Sequence, residues 1–264
     1  NNSDFNSYLN KAKDQGADVI FTPVSIAYAT QIITQAADLG IEAPFLGSDT
    51  LDDNMVLEAA SGSDVQLYPT DMAASANAVI AISGDYYIFR QLGITVYQRQ
   101  LYRFAPKSVD SCFFTASGDM LFSRAGEMSS QEEAQQFITD NDVTFAVAFG
   151  PVMVDNGQLA EFGSYPIGEN NRTYSRTAIG QRGKLHYILM TINYEDDHSV
   201  AATVSEAAEY IFSKGVVKAY ALDGGQTSTM VMNGHTVNRP DWGNQRTQSD
   251  IIYFATALPE EVNP

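Results

Sequence analysis

In the segment ALDGGQTSTMVMNG (221–234), Asp223 is followed by Gly224 and Gly225, and then, after Gln226, by Thr227, Ser228 and Thr229. Adjacent glycines leave backbone N–H groups uncovered by side chains, and three nearby hydroxyls add donors, which is how a chain builds a site for an anion. The same residues also suit a tight turn with Asp223 as its cap. The other reactive side chains point away from familiar chemistries. Cys112 is the single cysteine, which excludes an intramolecular disulfide and a cysteine-rich zinc site. Its setting in SCFFTA predicts a buried small hydrophobe, not a nucleophile. His186, His198 and His235 lack metal-ligand spacing and no serine sits in a nucleophile-elbow pattern, so neither a transition-metal centre nor a Ser-His-Asp triad is expected. NYEDDHS (193–199) is rich in oxygen ligands, lacks the spacing of a calcium loop, and reads as a solvated turn.

A formal net charge of -17 over 264 residues argues against nucleic acid or an anionic membrane surface as partner. Any anionic ligand must therefore meet a local cationic exception. With 44% hydrophobic residues, the chain has material for real cores and for about two domains on a prior of roughly 150 residues each. No apolar run approaches the roughly 18 residues of a membrane span. The opening NNSDFNSYLN lacks the basic start and apolar stretch of a signal peptide, and with no initiator Met the chain reads as a trimmed or partial one.

The elements that must position these residues fall into two textures. Over residues 1–69, DFNSYLNKAKDQG reads as a helix with an Asp start and a Gly stop, ADVIFTP as a strand, SIAYATQIITQAADLG as a second helix, APFLGSD as a second strand and LDDNMVLEAA as a short helix. Strands alternating with helices imply parallel pairing. From residue 70 the chain turns to short strand-like runs: NAVIAISGDYY, VDSCFFTASG, TFAVAFGPVMVDNGQL, KLHYILMTINY, VVKAYALDGG, STMVMNGHTV and DIIYFATAL. Asn233-Gly234 marks a hairpin. One helix, 204–214, is opened by the capping-box pair Thr203 and Glu206 and closed by Gly215. Mostly strands with few helices makes 70–264 an α+β domain.

DFNSYLNKAKDQGADVIFTP and QIITQAADLGIEAPFLGSDTLDD resemble the type I periplasmic binding proteins of branched-chain amino-acid transport. That resemblance implies a partial receptor lobe over 1–69, with TPVSIAYAT and GSDT at the strand ends where such receptors hold ligands and Asp49 as an anchor for an amino group. It also opens an alternative function, a remnant of an amino-acid-binding receptor. In the larger part, AISGDYY (81–87), SRTAIGQRGKLHYI (175–188), ALDGGQTSTMVMNG (221–234) and NQRTQSDIIYF (244–254) together resemble the phosphodiester glycosidase family, over residues 70 to 257. The resemblance implies a hydrolase that cleaves the glycosidic bond of a sugar 1-phosphodiester, such as an N-acetylglucosamine-1-phosphodiester, carried on a small molecule or a glycan. It implies no metal and no cofactor, and an extracytoplasmic location.

Such a substrate needs a fork of donors for its phosphate and a carboxylate for an oxocarbenium-like centre. The resemblance assigns phosphate and substrate binding to Arg176, Thr177, Gly224, Gly225, Thr227, Ser228, Thr229, Arg246 and Ser249, with the two arginines as the cationic exception. It assigns catalysis to Asp85 and Asp223, acids at the ends of apolar strands, whose separation the sequence leaves open between retaining and inverting chemistry. Tyr86 and Tyr87 suit either stacking on a sugar ring or half-buried packing. Two motifs depart from the family pattern. Gln226 and Thr227 stand where a Gly and a Ser are usual, and Ser83 where an Asn is usual. These departures keep open a third class, a catalytically inactive carbohydrate- or wall-binding domain.

Overall fold

The computed structural model describes residues 4–17, 20–22, 26–41, 45–47, 67–85, 90–161, 165, 170–194 and 201–255. The chain divides into two compact units, Asn1–Leu67 and Tyr68–Pro264. In the first, α1 (Asn6–Asp14) leads to β1 (Ile20–Thr22), α2 (Ile26–Asp38) and β2 (Phe45–Gly47). The two strands pair in parallel, Ile20 opposite Phe45, as a strand-helix-strand crossover requires. Leu9, Ile32 and Ala36 form a small core between the helices, and Gly40, at φ +64, follows the end of α2. The helix expected over 51–60 lies outside the described residues, as do Asp49 and its neighbours.

The second unit runs α3 (Pro69–Ser75), β3 (Ala78–Ser83), β4 (Gly93–Tyr97), β5 (Gln100–Ala105), β6 (Ser111–Thr115), β7 (Met120–Ser123), α4 (Gln131–Asp140), β8 (Val143–Val147), β9 (Val152–Asp155), β10 (Gln158–Leu159), β11 (Arg176–Gly183), β12 (His186–Ile192), α5 (Val204–Ser213), β13 (Lys218–Leu222), β14 (Met230–Met232), β15 (His235–Thr236) and β16 (Ile251–Ala255). It is an α+β fold of antiparallel sheets, ordered β10-β9-β13-β11-β12, β15-β14-β3-β16 and β5-β4-β8-β6-β7.

Alternation along the strands gives each sheet an inner and an outer face. Each outer face carries one helix. Ala73 of α3 packs on Ala81 and Val231, Ala134 and Ile138 of α4 pack on Ile94, Phe113 and Val143, and Ala207, Ala208 and Ile211 of α5 pack on Val154, Ala178 and Ala219. The inner faces share one core, to which Ile82 and Ile252, then Cys112, Phe114 and Val147, then Ile179, Tyr220 and Leu222 contribute from the three sheets. Burying each such large side chain contributes about 1.5–3 kcal/mol. Cys112 is fully buried here, and burial pushes its thiol well above its ordinary value, so it packs as the sequence predicts.

Local signals account for several elements. Thr203 and Glu206 form the reciprocal capping box of α5, and Gly215 follows it at φ +78. Asn233 and Gly234 turn the β14–β15 hairpin with φ of 48° and 78°. Helix α4 was not expected from the sequence. Its markers are nonetheless present: Ser130 caps the Glu133 amide, and Ala134, Phe137 and Ile138 line the face turned to the sheet. Its many Gln and Glu residues mask that stripe.

Candidate active site

The site is built from strand ends. Strand β3 pairs antiparallel with β16, Ser83 opposite Ile251, and that register sets Asp250 opposite Gly84. The Asp85 amide donates to both carboxylate oxygens of Asp250, at 3.0 and 3.2 Å. On the other side, the Asp223 amide, just past β13, donates to the Gly84 carbonyl at 3.0 Å. The Gly84–Asp85 peptide is thus held between Asp223 and Asp250. The Asp85 carboxylate is buried and accepts from the Ala148 amide at 3.1 Å.

Three acids drawn from positions up to 165 residues apart therefore meet at one place. Sequence inspection selects Asp85 and Asp223 and misses Asp250. The signal that selects the first two, an acid at the border of an apolar strand, is equally present where Asp250 precedes IIYF. Asp223 is 7% exposed, and burial above all lifts its carboxyl from the ordinary 3.8 to about 7. The Thr227 hydroxyl, the Arg246 charge and the Gly224 amide pull it back down, while the Asp85 charge pushes it up. Asp250 is half-buried with its carboxylate turned inward over Gly84. Burial first and the Asp85 charge second push that carboxyl well above its usual range, against hydrogen bonds from the Asp85 amide and the Ser249 hydroxyl.

The glycine turn is a fold device. The Gly225 amide donates to the Ser175 carbonyl at 2.8 Å, and the Thr227 and Ser228 amides to the Gly224 and Gly225 carbonyls at 3.2 and 3.1 Å. The expected row of uncovered N–H donors is therefore corrected at Gly225, because its amide serves the turn itself. Close approach is still why glycine is needed. A Cβ on Gly224 would lie 2.6 Å from the Ser175 carbonyl oxygen, and Gly225 adopts φ +62.

The hydroxyls are similarly engaged. Thr227 Oγ1 donates to the Gly224 carbonyl at 2.5 Å and also reaches Asp223, Ser228 Oγ donates to the Arg176 carbonyl at 3.0 Å, and Thr177 Oγ1 donates to Ser228 Oγ at 3.0 Å. The buried Thr229 hydroxyl has no hydrogen-bond partner among the described residues. Ser83, the departure from Asn, donates to the Thr227 carbonyl and accepts from the Thr229 amide at 3.0 Å. It staples the hydroxyl loop to β3.

The two arginines expected around one phosphate are not equivalent. Arg246 acts electrostatically on Asp223. Arg176 shares its β11 face with Ala178, which packs beneath α5, whereas Thr177 points to the hydroxyl loop. The Arg176 guanidinium donates to the carbonyls of Ala202 at 2.8 Å and Arg172 at 2.6 Å and lies over the Tyr174 ring. Its convergence with Arg246 is corrected accordingly: strand alternation turns it to the helix side of the sheet.

Tyr86 and Tyr87, and residues 195–199 of NYEDDHS, lie outside the described residues. Among the described residues no three His, Cys, Asp or Glu side chains are grouped to hold a metal ion, and no helix is long and apolar enough to cross a membrane. A groove of about 560 Å³ along β12 and α5, lined by Arg182, Ile188, Tyr210 and Lys214, includes none of the three acids.

Comparison with known proteins bears on the family and the fold. The family model for phosphodiester glycosidases matches residues 76–255. A curated relative, the SPbeta prophage-derived uncharacterized protein YomE of Bacillus subtilis (strain 168), is 24% identical over 186 residues, which are 69% of this chain and 28% of that protein's length. The chain thus spans little more than a quarter of that relative. Among solved structures, the zebrafish N-acetylglucosamine-1-phosphodiester α-N-acetylglucosaminidase catalytic domain, auto-inhibited by its pro-peptide, has a TM-score of 0.61 at 16% identity, over 75% of this chain and 70% of that one. A hypothetical protein from Synechocystis has a TM-score of 0.45 at 14% identity, over 68% and 52% of the two chains. The first of these likenesses shows the fold. With the family match covering every acid and hydroxyl of the site, this chain belongs to the phosphodiester glycosidase family.

Proposed function

We propose that this protein hydrolyses the glycosidic bond of a sugar 1-phosphodiester, with an N-acetylglucosamine-1-phosphodiester as the first substrate to test. The observation that carries this reading is the meeting of two buried acids within the family-matched span, the Asp223 amide donating at 3.0 Å to the Gly84 carbonyl next to Asp85, where burial pushes the Asp223 carboxyl up to about 7 and the Arg246 charge pulls it back. A base with a pKa near the working pH combines an adequate ionised fraction with useful basicity. In the proposed reaction, water forms a bond to the anomeric carbon as the bond from that carbon to the phosphate oxygen breaks. The water proton passes to Asp223, and the phosphate leaves as a monoester anion that needs no protonation. Arg246 offers planar, charge-assisted donors to the departing phosphate. Asp85 supplies a negative charge to an oxocarbenium-like centre.

Thr177, Thr227, Ser228, Thr229 and Ser249 form the polar wall, with Arg176 holding the backbone behind it. The first 69 residues lie before the matched span, their resemblance to a receptor lobe finds no support in the comparisons, and they take no part in the chemistry in this proposal; an extracytoplasmic glycan or small-molecule phosphodiester is the partner. One observation favours a second reading, binding without turnover: the Gly225 amide is spent within the fold. Incubation with an N-acetylglucosamine-1-phosphodiester and measurement of released sugar decides between them. Release that Asp223→Asn abolishes supports the hydrolase, and saturable binding without release supports the second reading.

A further inference from the structure

We infer that Asp250 is a positioning residue: its carboxylate, seated over Gly84, fixes the Gly84–Asp85 peptide and thereby sets Asp85 and Asp223 relative to each other. The inference rests on the proposed hydrolysis for its meaning. Its geometry is independent of that reaction.

Three observations carry it. The β3–β16 ladder ends on the Ser83–Ile251 pair, so its register sets Asp250 opposite Gly84 one residue beyond the last paired position. Both Asp250 oxygens accept from the one Asp85 amide, at 3.0 and 3.2 Å, while the Gly84 carbonyl of the same short segment accepts from the Asp223 amide at 3.0 Å. A Cβ added to Gly84 would lie 2.5 Å from Oδ2, 2.7 Å from Cγ and 2.9 Å from Oδ1 of Asp250. Gly84 is not among the glycines with positive φ, so backbone conformation does not demand glycine there, and the three atoms nearest to an added Cβ all belong to the Asp250 carboxylate. Ser249 Oγ, 3.3 Å from Oδ1, donates to the carboxylate from the preceding residue. One side chain thus holds the start of the segment that bears one acid and, through the Gly84 carbonyl, orients the amide of the other. An error of about 1 Å in such placement costs on the order of a hundredfold in rate.

The test uses the full chain and four variants: Asp250→Ala, Asp250→Asn, Gly84→Ala and the Gly84→Ala/Asp250→Ala pair. Two measurements are made on each, steady-state turnover of an N-acetylglucosamine-1-phosphodiester and amide hydrogen exchange at Asp85 and Asp223. Asp250→Ala is expected to lower kcat at least about tenfold with KM changed less than about threefold, and to speed exchange at both amides at least about tenfold. Asp250→Asn keeps an oxygen for the Asp85 amide and should restore most of both losses. Gly84→Ala displaces the carboxylate and should reproduce Asp250→Ala, and the double variant should be no worse than Asp250→Ala alone, because the clash disappears with the carboxylate.

Parent-like kcat in Asp250→Ala, unchanged exchange at Asp85, or additive losses in the double variant would each overturn the inference. A parent protein that cleaves nothing defeats the proposed reaction instead, and the exchange data then decide the role of Asp250 without it. If Asp250→Ala does not fold, the comparison of Asp250→Asn with Gly84→Ala carries the same decision.

Discussion

Replacing Asp223 with Asn should make the protein more stable at neutral and alkaline pH while removing its turnover. Burial lifts the Asp223 carboxyl from 3.8 to about 7, so the charged form is disfavoured in the folded state by about 4 kcal/mol, at about 1.4 kcal/mol per pH unit. Below pH 3.8 the carboxyl is protonated in both folded and unfolded chains and nothing is lost. As pH rises from there to about 7, the folded chain keeps a proton that the unfolded chain has released, and folding stability falls. Above pH 7 the full penalty applies. Asn has about the same volume, keeps a carbonyl oxygen in the same place, and carries no such penalty. Relative to the parent, Asp223→Asn should be near neutral at pH 4 and gain up to about 4 kcal/mol by pH 8. Urea unfolding of both proteins by far-UV circular dichroism at intervals across that range measures the difference, in which the remaining titrating groups largely cancel. A difference that stays constant with pH within about 0.5 kcal/mol would refute the buried, shifted carboxyl, and with it the assignment of Asp223 as the base.

The same carboxyl sets the pH profile of the proposed reaction: kcat/KM for the diester should rise with pH through about 7 as Asp223 ionises, and a flat profile from pH 5 to 8 would exclude it as the base. Arg246→Ala should lower kcat/KM at least about tenfold through loss of a charge-assisted phosphate contact, and should also raise the Asp223 pKa, a shift visible by carboxyl carbon NMR. Arg176→Ala should act on stability, costing about 1–3 kcal/mol in urea unfolding because the Ala202 and Arg172 carbonyls lose their donor. Gly224→Ala should be worse than an ordinary surface change, with a Tm drop of more than about 5 °C, because its Cβ would meet the Ser175 carbonyl oxygen.

Much of the fold is legible in local sequence because its causes are local. A capping box needs Thr203 and Glu206 one helical turn apart, a two-residue hairpin needs Asn233 and Gly234 at positive φ, and an apolar run around Cys112 has nowhere to go but the core. The family's motifs likewise mark Asp85, Asp223 and the hydroxyl loop, since each sits at a strand-to-turn border that the residue types themselves announce. Which face a border residue takes, and which distant residue it meets, is decided by pairing between strands far apart in the chain. The β3–β16 register makes Asp250 the partner of Asp85, alternation along β11 sends Arg176 to the Ala202 and Arg172 carbonyls and Thr177 toward Ser228, and the approach of the glycine turn to Ser175 consumes the Gly225 amide, which looks free in the sequence. A one-residue slip in either pairing would exchange those faces without altering a single local signal. The candidate residues Asp85, Asp223 and the hydroxyl loop are thus marked by sequence, and their arrangement, with Asp250 among them and the raised Asp223 carboxyl that follows from burial, is decided by tertiary structure.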